Sequence, residues 1–161
     1  MGLFGTLFGN KNRIEIASPV KGELVSITNV SDPTFAEEML GKGVALIPAD
    51  GKFYAPASGV LEAMFPTGHA FSVTTEEGAE VLVHIGLETV KLDGEHFTIH
   101  AKQGDTVSKG DLLVEVDLEA VKAAGYDIIT PMIVLNSDQF TFEKLTGDVN
   151  AGDTALVLTK A

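Results

Sequence analysis

The chain contains no cysteine and no tryptophan, and it is poor in basic residues. Without cysteine it can form neither a disulfide nor a thiolate metal site, and it has no cysteine nucleophile. Only 11 Lys and Arg stand against 23 Asp and Glu, which gives a formal net charge of −12. Because binding to nucleic acid requires Lys and Arg to neutralise phosphates, the expected partners are basic proteins and not nucleic acids.

Long hydrophobic runs are also absent. No stretch of 18 apolar residues occurs, so the sequence predicts no membrane-spanning helix. The first basic residues, Lys11 and Arg13, follow the N-terminal apolar stretch and do not precede it, which is not the order of a secretory signal peptide. The expected location is therefore the cytoplasm.

The length of 161 residues is enough for one domain with a sizeable core. We place that domain at residues 13–161. Residues 1–12 carry an apolar stripe that glycines interrupt at positions 2, 5 and 9, so we expect a flexible N-terminal tail there.

Short apolar runs separated by Gly, Pro, Asn or Asp predict many short strands and little helix. The predicted strands are Ile14–Ala17, Glu23–Ile27, Val44–Pro48, Lys52–Ala55, Gly59–Phe65, His69–Thr74, Glu80–Ile85, Phe97–His100, Leu112–Val116, Met132–Leu135 and Thr154–Lys160. Asp32 and Asp117 are placed to begin two short helical segments, up to Gly41 and over Leu118–Ala124. The expected fold is all-β, a compact antiparallel sandwich or barrel.

Two segments of the chain resemble each other. Residues 17–24 match residues 54–61 in the placement of Pro and Gly, and the Gly-Asp turn at 110–111 recurs at 152–153. Either hairpin chemistry has converged, or a β motif is duplicated within one compact unit.

The four histidines are the only side chains with an ordinary pKa near neutrality. Alternation along Glu80–Ile85 places Val81 and Val83 toward the core and His84 on the opposite face with Leu82. His69 begins a strand that can pair with this one around the turn Glu76-Glu77-Gly78, which would bring the two histidines level. The alternatives are a solvated His84 and a His69 packed on aromatic rings.

His96 and His100 do not form a metal pair in this interpretation. The residues between them favour a strand, in which four residues span about 13 Å, so we expect solvated histidines. No phosphate-binding glycine loop and no Gly-x-Ser-x-Gly turn occurs in the chain.

Several segments, in order, resemble the enzyme IIA family of the glucose class, from the bacterial phosphoenolpyruvate-dependent sugar phosphotransferase system. They are Asp32–Glu37, Gly41–Ala45, Lys52–Pro56, Phe65–Phe71, Val81–Val90, Gly94–Phe97 and Gln103–Asp111. The resemblance implies a β sandwich of the duplicated hybrid motif type that acts as a phosphocarrier. It implies transfer from the histidine-containing phosphocarrier protein HPr to the IIB domain of a sugar permease, through a phosphohistidine.

The resemblance also assigns roles to residues. His84 matches the histidine that is phosphorylated on Nε2, His69 matches the second histidine that stabilises the phosphoryl group, and Thr67 matches the threonine that orients His69. The expected docking surface for partners is an apolar rim with an acidic edge. It consists of Phe35, Met39, Leu40, Phe65, Phe71, Leu82 and Val90, with Asp32 and Glu88.

No tightly bound cofactor or metal is predicted, although the two histidines are compatible with a zinc ion shared with a partner. The start of the chain, Met1 to Phe4, resembles the membrane-contacting tail of some family members, which suggests weak peripheral membrane contact through residues 1–12.

Three other interpretations make different demands on the sequence. A biotinyl- or lipoyl-type carrier would need a modified lysine in a Met-Lys-Met or Asp-Lys-Ala turn, and a zinc peptidase would need a His-x-His pair, and none of these occurs. A regulatory module that uses the phosphorylation site as a switch stays open. The transported sugar also stays open, because the permease sets it.

Overall fold

The computed structural model describes residues 13–161, and this part of the chain is built mainly from short strands. The strands are β1 (Arg13–Ala17), β2 (Gly22–Ser26), β3 (Lys42–Pro48), β4 (Lys52–Tyr54), β5 (Gly59–Met64), β6 (Ala70–Thr75), β7 (Glu80–His84), β8 (Phe97–Ile99), β9 (Thr106–Val107), β10 (Leu112–Val116), β11 (Thr130–Val134), β12 (Phe140–Lys144), β13 (Gly147–Val149) and β14 (Thr154–Lys160). The α-helices are α1 (Pro33–Ala36) and α2 (Leu118–Ala123), and 3-10 turns cover Ile27–Asn29, Thr89–Leu92 and Ser137–Gln139.

The strands form three sheets. The largest has eight strands in the order β13-β2-β3-β11-β7-β6-β5-β9, and the other two have the orders β1-β14-β12 and β4-β10-β8. Every strand pairing within residues 13–161 is antiparallel. The predicted all-β antiparallel fold with two short helices is confirmed.

The predicted strands all correspond to observed strands, with ends that agree to within two residues. Three observed strands, β9, β12 and β13, were not predicted. β9 and β13 have only two and three residues, which is too short for an alternating pattern to show. β12 ends in Glu143 and Lys144, and its place in a sheet depends on β14, which pairs with it along five residues.

The two segments of the internal repeat occupy equivalent positions in the fold. The two matching segments bond to each other reciprocally: Ala17 N–H donates to Pro56 O at 2.9 Å, and Tyr54 N–H donates to Pro19 O at 2.8 Å. Each segment also bonds in the same way to its own Gly-Asp turn. Ser18 exchanges backbone bonds with residues 152–153, and Ala55 does so with residues 110–111. The structure therefore favours a duplicated motif over convergent hairpins.

The largest sheet has apolar side chains on both faces. Alternate residues such as Val81 and Val83 enter the main core, which also contains Phe53, Phe71 and Leu113. Residues of opposite parity enter a smaller cluster on the other face. This cluster comprises Val25, Ile27, Val30, Phe35, Ala45, Ile129 and Ile133, with Leu82 and Leu87 packed against it. Because side chains alternate along a strand, His84 lies on the face of the smaller cluster, as predicted.

Both α-helices begin at the predicted aspartates. Asp32 Oδ1 accepts from Thr34 N–H at 2.9 Å with Pro33 in the first turn, and Asp117 Oδ1 accepts from Ala120 N–H at 3.1 Å. Helix α1 ends at Ala36, and the chain continues to Gly41 as a loop in which Glu38 has a φ of 56°. Neither helix, nor any other in the described residues, has the length and apolar character needed to cross a membrane.

Candidate functional site

The hairpin of β6 and β7 brings two of the four histidines together. The strands pair around residues 76–79, with Thr74 opposite Glu80 and Ala70 opposite His84. His69 immediately precedes β6, so both histidines lie at the end of the hairpin away from its turn. Their ring centroids are 5.1 Å apart, and the rings meet edge to face at 81°. The predicted pairing of these strands is confirmed.

His69 lies just before β6, so the alternation of side chains along that strand does not fix the direction of its ring, which lies against the ring of His84. Gly68 has a φ of +75°, a conformation that L residues rarely adopt, and its N–H donates to Phe65 O at 2.8 Å. This turn places the ring of Phe65 5.2 Å from that of His69. Ile85 N–H donates to His69 O at 2.6 Å, which fixes the backbone between the two histidines.

The prediction that Phe71 belongs to the docking rim is wrong. Phe71 is fully buried in the main core, on the face of the sheet opposite His84, where it pairs with Val83. Simple alternation gives His69 and Phe71 the same face, but alternation applies only within the strand, and β6 starts at Ala70.

The ring of His84 is held by one of its two nitrogens. Nδ1 lies 2.7 Å from the backbone carbonyl oxygen of Gly86. Because a carbonyl can only accept, Nδ1 carries the proton in this hydrogen bond, and in the neutral ring Nε2 keeps its lone pair. Gly86 has a φ of +77°, which turns its carbonyl back toward the ring. The geometry agrees with the expectation that Nε2 is the reactive nitrogen.

The ring of His69 is held in a similar way by a side chain. Thr67 Oγ1 and His69 Nδ1 form a hydrogen bond. When the hydroxyl donates, the proton of the neutral ring lies on Nε2, which is then available to donate to an incoming oxygen. Thr67 therefore lies where the sequence prediction placed it, two residues before His69 and in contact with its ring.

The surroundings of both rings favour the neutral form. Burial, followed by the nearby charge of His84, lowers the pKa of His69 to about 4. Burial also lowers the pKa of His84, against smaller opposing effects of the Gly86 carbonyl and the Asp32 carboxylate. A neutral imidazole is the form that can attack an electrophile, so the site is prepared for nucleophilic chemistry.

The predicted rim residues divide into exposed and buried groups. Met39 is 69% exposed, and Leu40, Phe65 and Val90 are also exposed. Leu82 is half-buried. Phe35 is buried, with its ring centroid 5.2 Å from that of His84 at 51°, so it shields His84 and offers little surface to a partner.

Two exposed apolar residues next to these were not predicted. A Cβ added at Gly68 would lie 3.1 Å from Ile99 Cγ1, which places Ile99 beside the turn that precedes His69. Leu135 lies in the same way beside Gly41, which follows Leu40. Both were missed because the alternation of residues along a strand does not show which apolar side chains stay exposed in the folded protein.

Of the two residues of the predicted acidic edge, Asp32 is the one whose charge acts on His84. Asp32 is half-buried at the start of α1, close enough for its charge to act on His84. Glu88 is exposed and forms a 3.0 Å ion pair with Lys91. The two carboxylates, with Ser31, Tyr126 and Asp127, line a cavity of about 570 Å³.

A sequence model of one family, described as phosphoenolpyruvate-dependent sugar phosphotransferase system, EIIA 1, matches residues 14–140. This chain belongs to that family. The matched range contains Thr67, both site histidines and the strands that carry them. The expected family resemblance is therefore confirmed.

Known members of the family support the assignment over nearly the full chain. The glucose-specific EIIA component of Halalkalibacterium halodurans is 46% identical over 170 residues, covering 98% of each chain. The structure of glucose permease IIA from Mycoplasma capricolum has a TM-score of 0.87 and 39% identity, covering 90% of this chain and 95% of that one. The beta-glucoside-specific EIIBCA component of H. halodurans is 46% identical, and this chain spans 25% of its length.

The remaining sequence predictions concern residues outside the site. His96 precedes β8 and His100 follows it, so the two histidines lie at opposite ends of this strand. His100 Nε2 lies 2.8 Å from Glu115 Oε1. Among residues 13–161, no three His, Asp or Glu side chains are grouped to hold a metal ion. The predicted tail and its membrane contact concern residues 1–12, which lie outside the described residues.

Proposed function

We propose that this protein accepts a phosphoryl group from phospho-HPr on His84 and passes it to the IIB domain of a sugar permease. The observation that carries the proposal is the pair of neutral histidine rings, in which Gly86 holds His84 by Nδ1 and leaves Nε2 free. The name of the EIIBCA relative joins a IIB, a IIC and a IIA part in one component, which supports IIB as the acceptor.

The transfer is an in-line displacement at phosphorus. The lone pair of His84 Nε2 forms the new N–P bond while the N–P bond to the donor histidine breaks, and the electron pair of that bond returns to the donor ring. His84 Nδ1 keeps its proton throughout. The phosphorylated ring gains positive charge, and the Gly86 carbonyl stabilises it by accepting a hydrogen bond from Nδ1. The same steps in reverse, with IIB as acceptor, release the group.

His69 and Thr67 act on the phosphoryl oxygens in this proposal. The transferred group carries negative charge on its oxygens, and a donor already in place stabilises that charge in the transition state. With Thr67 bound to Nδ1, His69 presents Nε2–H without having to become cationic. This arrangement suits a site in which the pKa of His69 is about 4.

Partners dock on the exposed apolar residues around the histidines. When a partner covers them, these residues exclude water from the phosphohistidine; they are Met39, Leu40, Phe65 and Val90. The carboxylates of Asp32 and Glu88 attract basic residues of the partner. The sugar is set by the permease, and the same surface serves regulatory partners that distinguish the phosphorylated from the free form.

The test is incubation with enzyme I, HPr and phosphoenolpyruvate, followed by intact mass spectrometry. We expect one acid-labile phosphate per chain, lost in His84→Ala and retained in the matched control His100→Ala, which removes a histidine outside the site. Phosphate that survives His84→Ala would reverse the roles of the two histidines. Absence of any phosphate on the wild-type chain would contradict the proposed function.

A further inference from the structure

Thr89 is a fully buried polar residue beside the site that the proposed transfer does not use. Its Oγ1 donates to the carbonyl oxygen of Ile85 at 2.5 Å. Glu88, the residue before it, has a φ of 59°, so the chain reverses after Gly86 and brings Thr89 back onto Ile85. A buried hydroxyl in this position satisfies a carbonyl that would otherwise lack a partner at the end of β7.

Ile85 connects this hydroxyl to both histidines. Its carbonyl accepts from Thr89, and its N–H donates to the carbonyl of His69 at 2.6 Å. It also follows His84 directly in the chain. The bond made by Thr89 therefore fixes the residue that joins the two histidine-bearing segments.

The next peptide group is the one that holds His84. Its carbonyl belongs to Gly86 and accepts from His84 Nδ1, and its N–H belongs to Leu87 and donates to Asp127 O at 3.0 Å. Thr89 also contacts Gly86, because a Cβ added there would lie 2.6 Å from Thr89 Cγ2. Thr89 thus fixes one side of the turn whose other side is fixed by Asp127.

We propose that Thr89 is a positioning residue, whose hydroxyl keeps the Gly86 carbonyl aligned with His84 Nδ1 and so fixes the tautomer with a free Nε2. The inference rests on the proposed phosphorylation of His84. Without the hydroxyl, the Ile85 carbonyl loses its buried donor and the turn relaxes. The proton of the neutral ring then divides between the two nitrogens of His84, and the fraction with a nucleophilic Nε2 falls.

The test compares variants that differ by the hydroxyl. Thr89→Val replaces it with a methyl group of similar size, and Thr89→Ser and Thr89→Ala differ from each other only by the hydroxyl. Thr75→Val is the control, because Thr75 is also buried and its Oγ1 accepts from Ala79 N–H at 3.0 Å, but it lies at the opposite end of β6. The first readout is long-range ¹H–¹⁵N NMR of the unphosphorylated protein, which reports the tautomer of His84 and requires no phosphoryl donor.

We expect His84 to carry its proton on Nδ1 in the wild type, Thr89→Ser and Thr75→Val, and to show a mixture of tautomers in Thr89→Val and Thr89→Ala. Phosphorylation by phospho-HPr should slow about fivefold in the latter two, the factor that corresponds to one hydrogen bond of ordinary strength. If Thr89→Val does not fold, the Ser and Ala pair makes the same comparison.

Unchanged tautomer and rate in Thr89→Val and Thr89→Ala would overturn the inference. Equal losses in Thr89→Ser and Thr89→Ala would also overturn it, because they would assign the effect to the methyl group. A wild-type chain that takes no phosphate from phospho-HPr would contradict the proposed function instead. The NMR comparison would then still decide the role of Thr89.

Discussion

Acid should destabilise this protein through the buried ring of His69. Burial, followed by the charge of His84, lowers the pKa of His69 from 6.5 to about 4, so the unfolded chain binds this proton more tightly than the folded one. The contribution of His69 to the free energy of unfolding is therefore fully present above pH 6.5 and is lost as the pH falls toward 4. One pKa unit corresponds to about 1.36 kcal/mol, so the loss from His69 is about 2.5 kcal/mol at pH 4.5.

Urea unfolding of the wild type and of His69→Gln, near pH 7 and near pH 4.5, isolates this contribution. The two proteins contain the same carboxylates, whereas only the wild type has a buried imidazole at this position. We expect the stability of the wild type relative to His69→Gln to fall by about 2.5 kcal/mol between the two pH values. NMR titration of the ring measures the same pKa directly. A stability difference that does not change with pH would refute the reasoning.

Three further outcomes follow from the site. His69→Gln keeps a hydrogen-bond donor but cannot hold it in the same place, so rapid-quench assays should show transfer to IIB slowed about 10²–10³-fold. Acceptance from phospho-HPr should be slowed less, because HPr contributes its own basic residues. Equal small losses in both directions would make His69 a packing residue. Met39→Lys adds to the exposed apolar surface a charge that repels the partner's basic residues, so it should slow acceptance and leave the free energy of unfolding in urea within about 0.5 kcal/mol of the wild type. Phe71→Ala removes a ring from the main core, so it should lower the free energy of unfolding by about 3–5 kcal/mol and leave the rate per folded molecule unchanged. A stable, slow Phe71→Ala would contradict its place in the core. Gly86→Ala would put a Cβ 2.9 Å from Asp127 O, in a residue with a φ of +77°. It should therefore slow phosphorylation of His84 and lower the midpoint of urea unfolding. Wild-type values for both would contradict a turn that requires glycine.

Much of the fold could be predicted from local sequence patterns. Alternation placed Val81 and Val83 in the core and His84 on the opposite face, and the turn at residues 76–78 fixed the hairpin. The short strands β9 and β13 could not be predicted in this way, because two or three residues carry no period and form a strand only when a neighbour supplies the hydrogen bonds.

The residues of the site could be predicted from the sequence, but their geometry only in part. The family resemblance named Thr67, His69 and His84, and the structure brings all three together. Alternation gave Phe71 the same face as His69, and this was wrong because Gly68 turns the chain before β6 begins. Neither the pattern nor the resemblance indicated Thr89, since its contact with Ile85 depends on the reversal of the chain at Glu88.

The sequence by itself determined the all-β class, the pairing of β6 with β7 and the family, because hydrophobic period, turn residues and motif order are local properties of the chain. Only the tertiary structure decided which nitrogen of His84 is free, how far the pKa of His69 falls and which apolar residues remain exposed. These depend on the position of the Gly86 carbonyl, on the burial of His69 and on the second apolar cluster around Phe35. Residues from distant parts of the chain create that environment, and no local pattern records it.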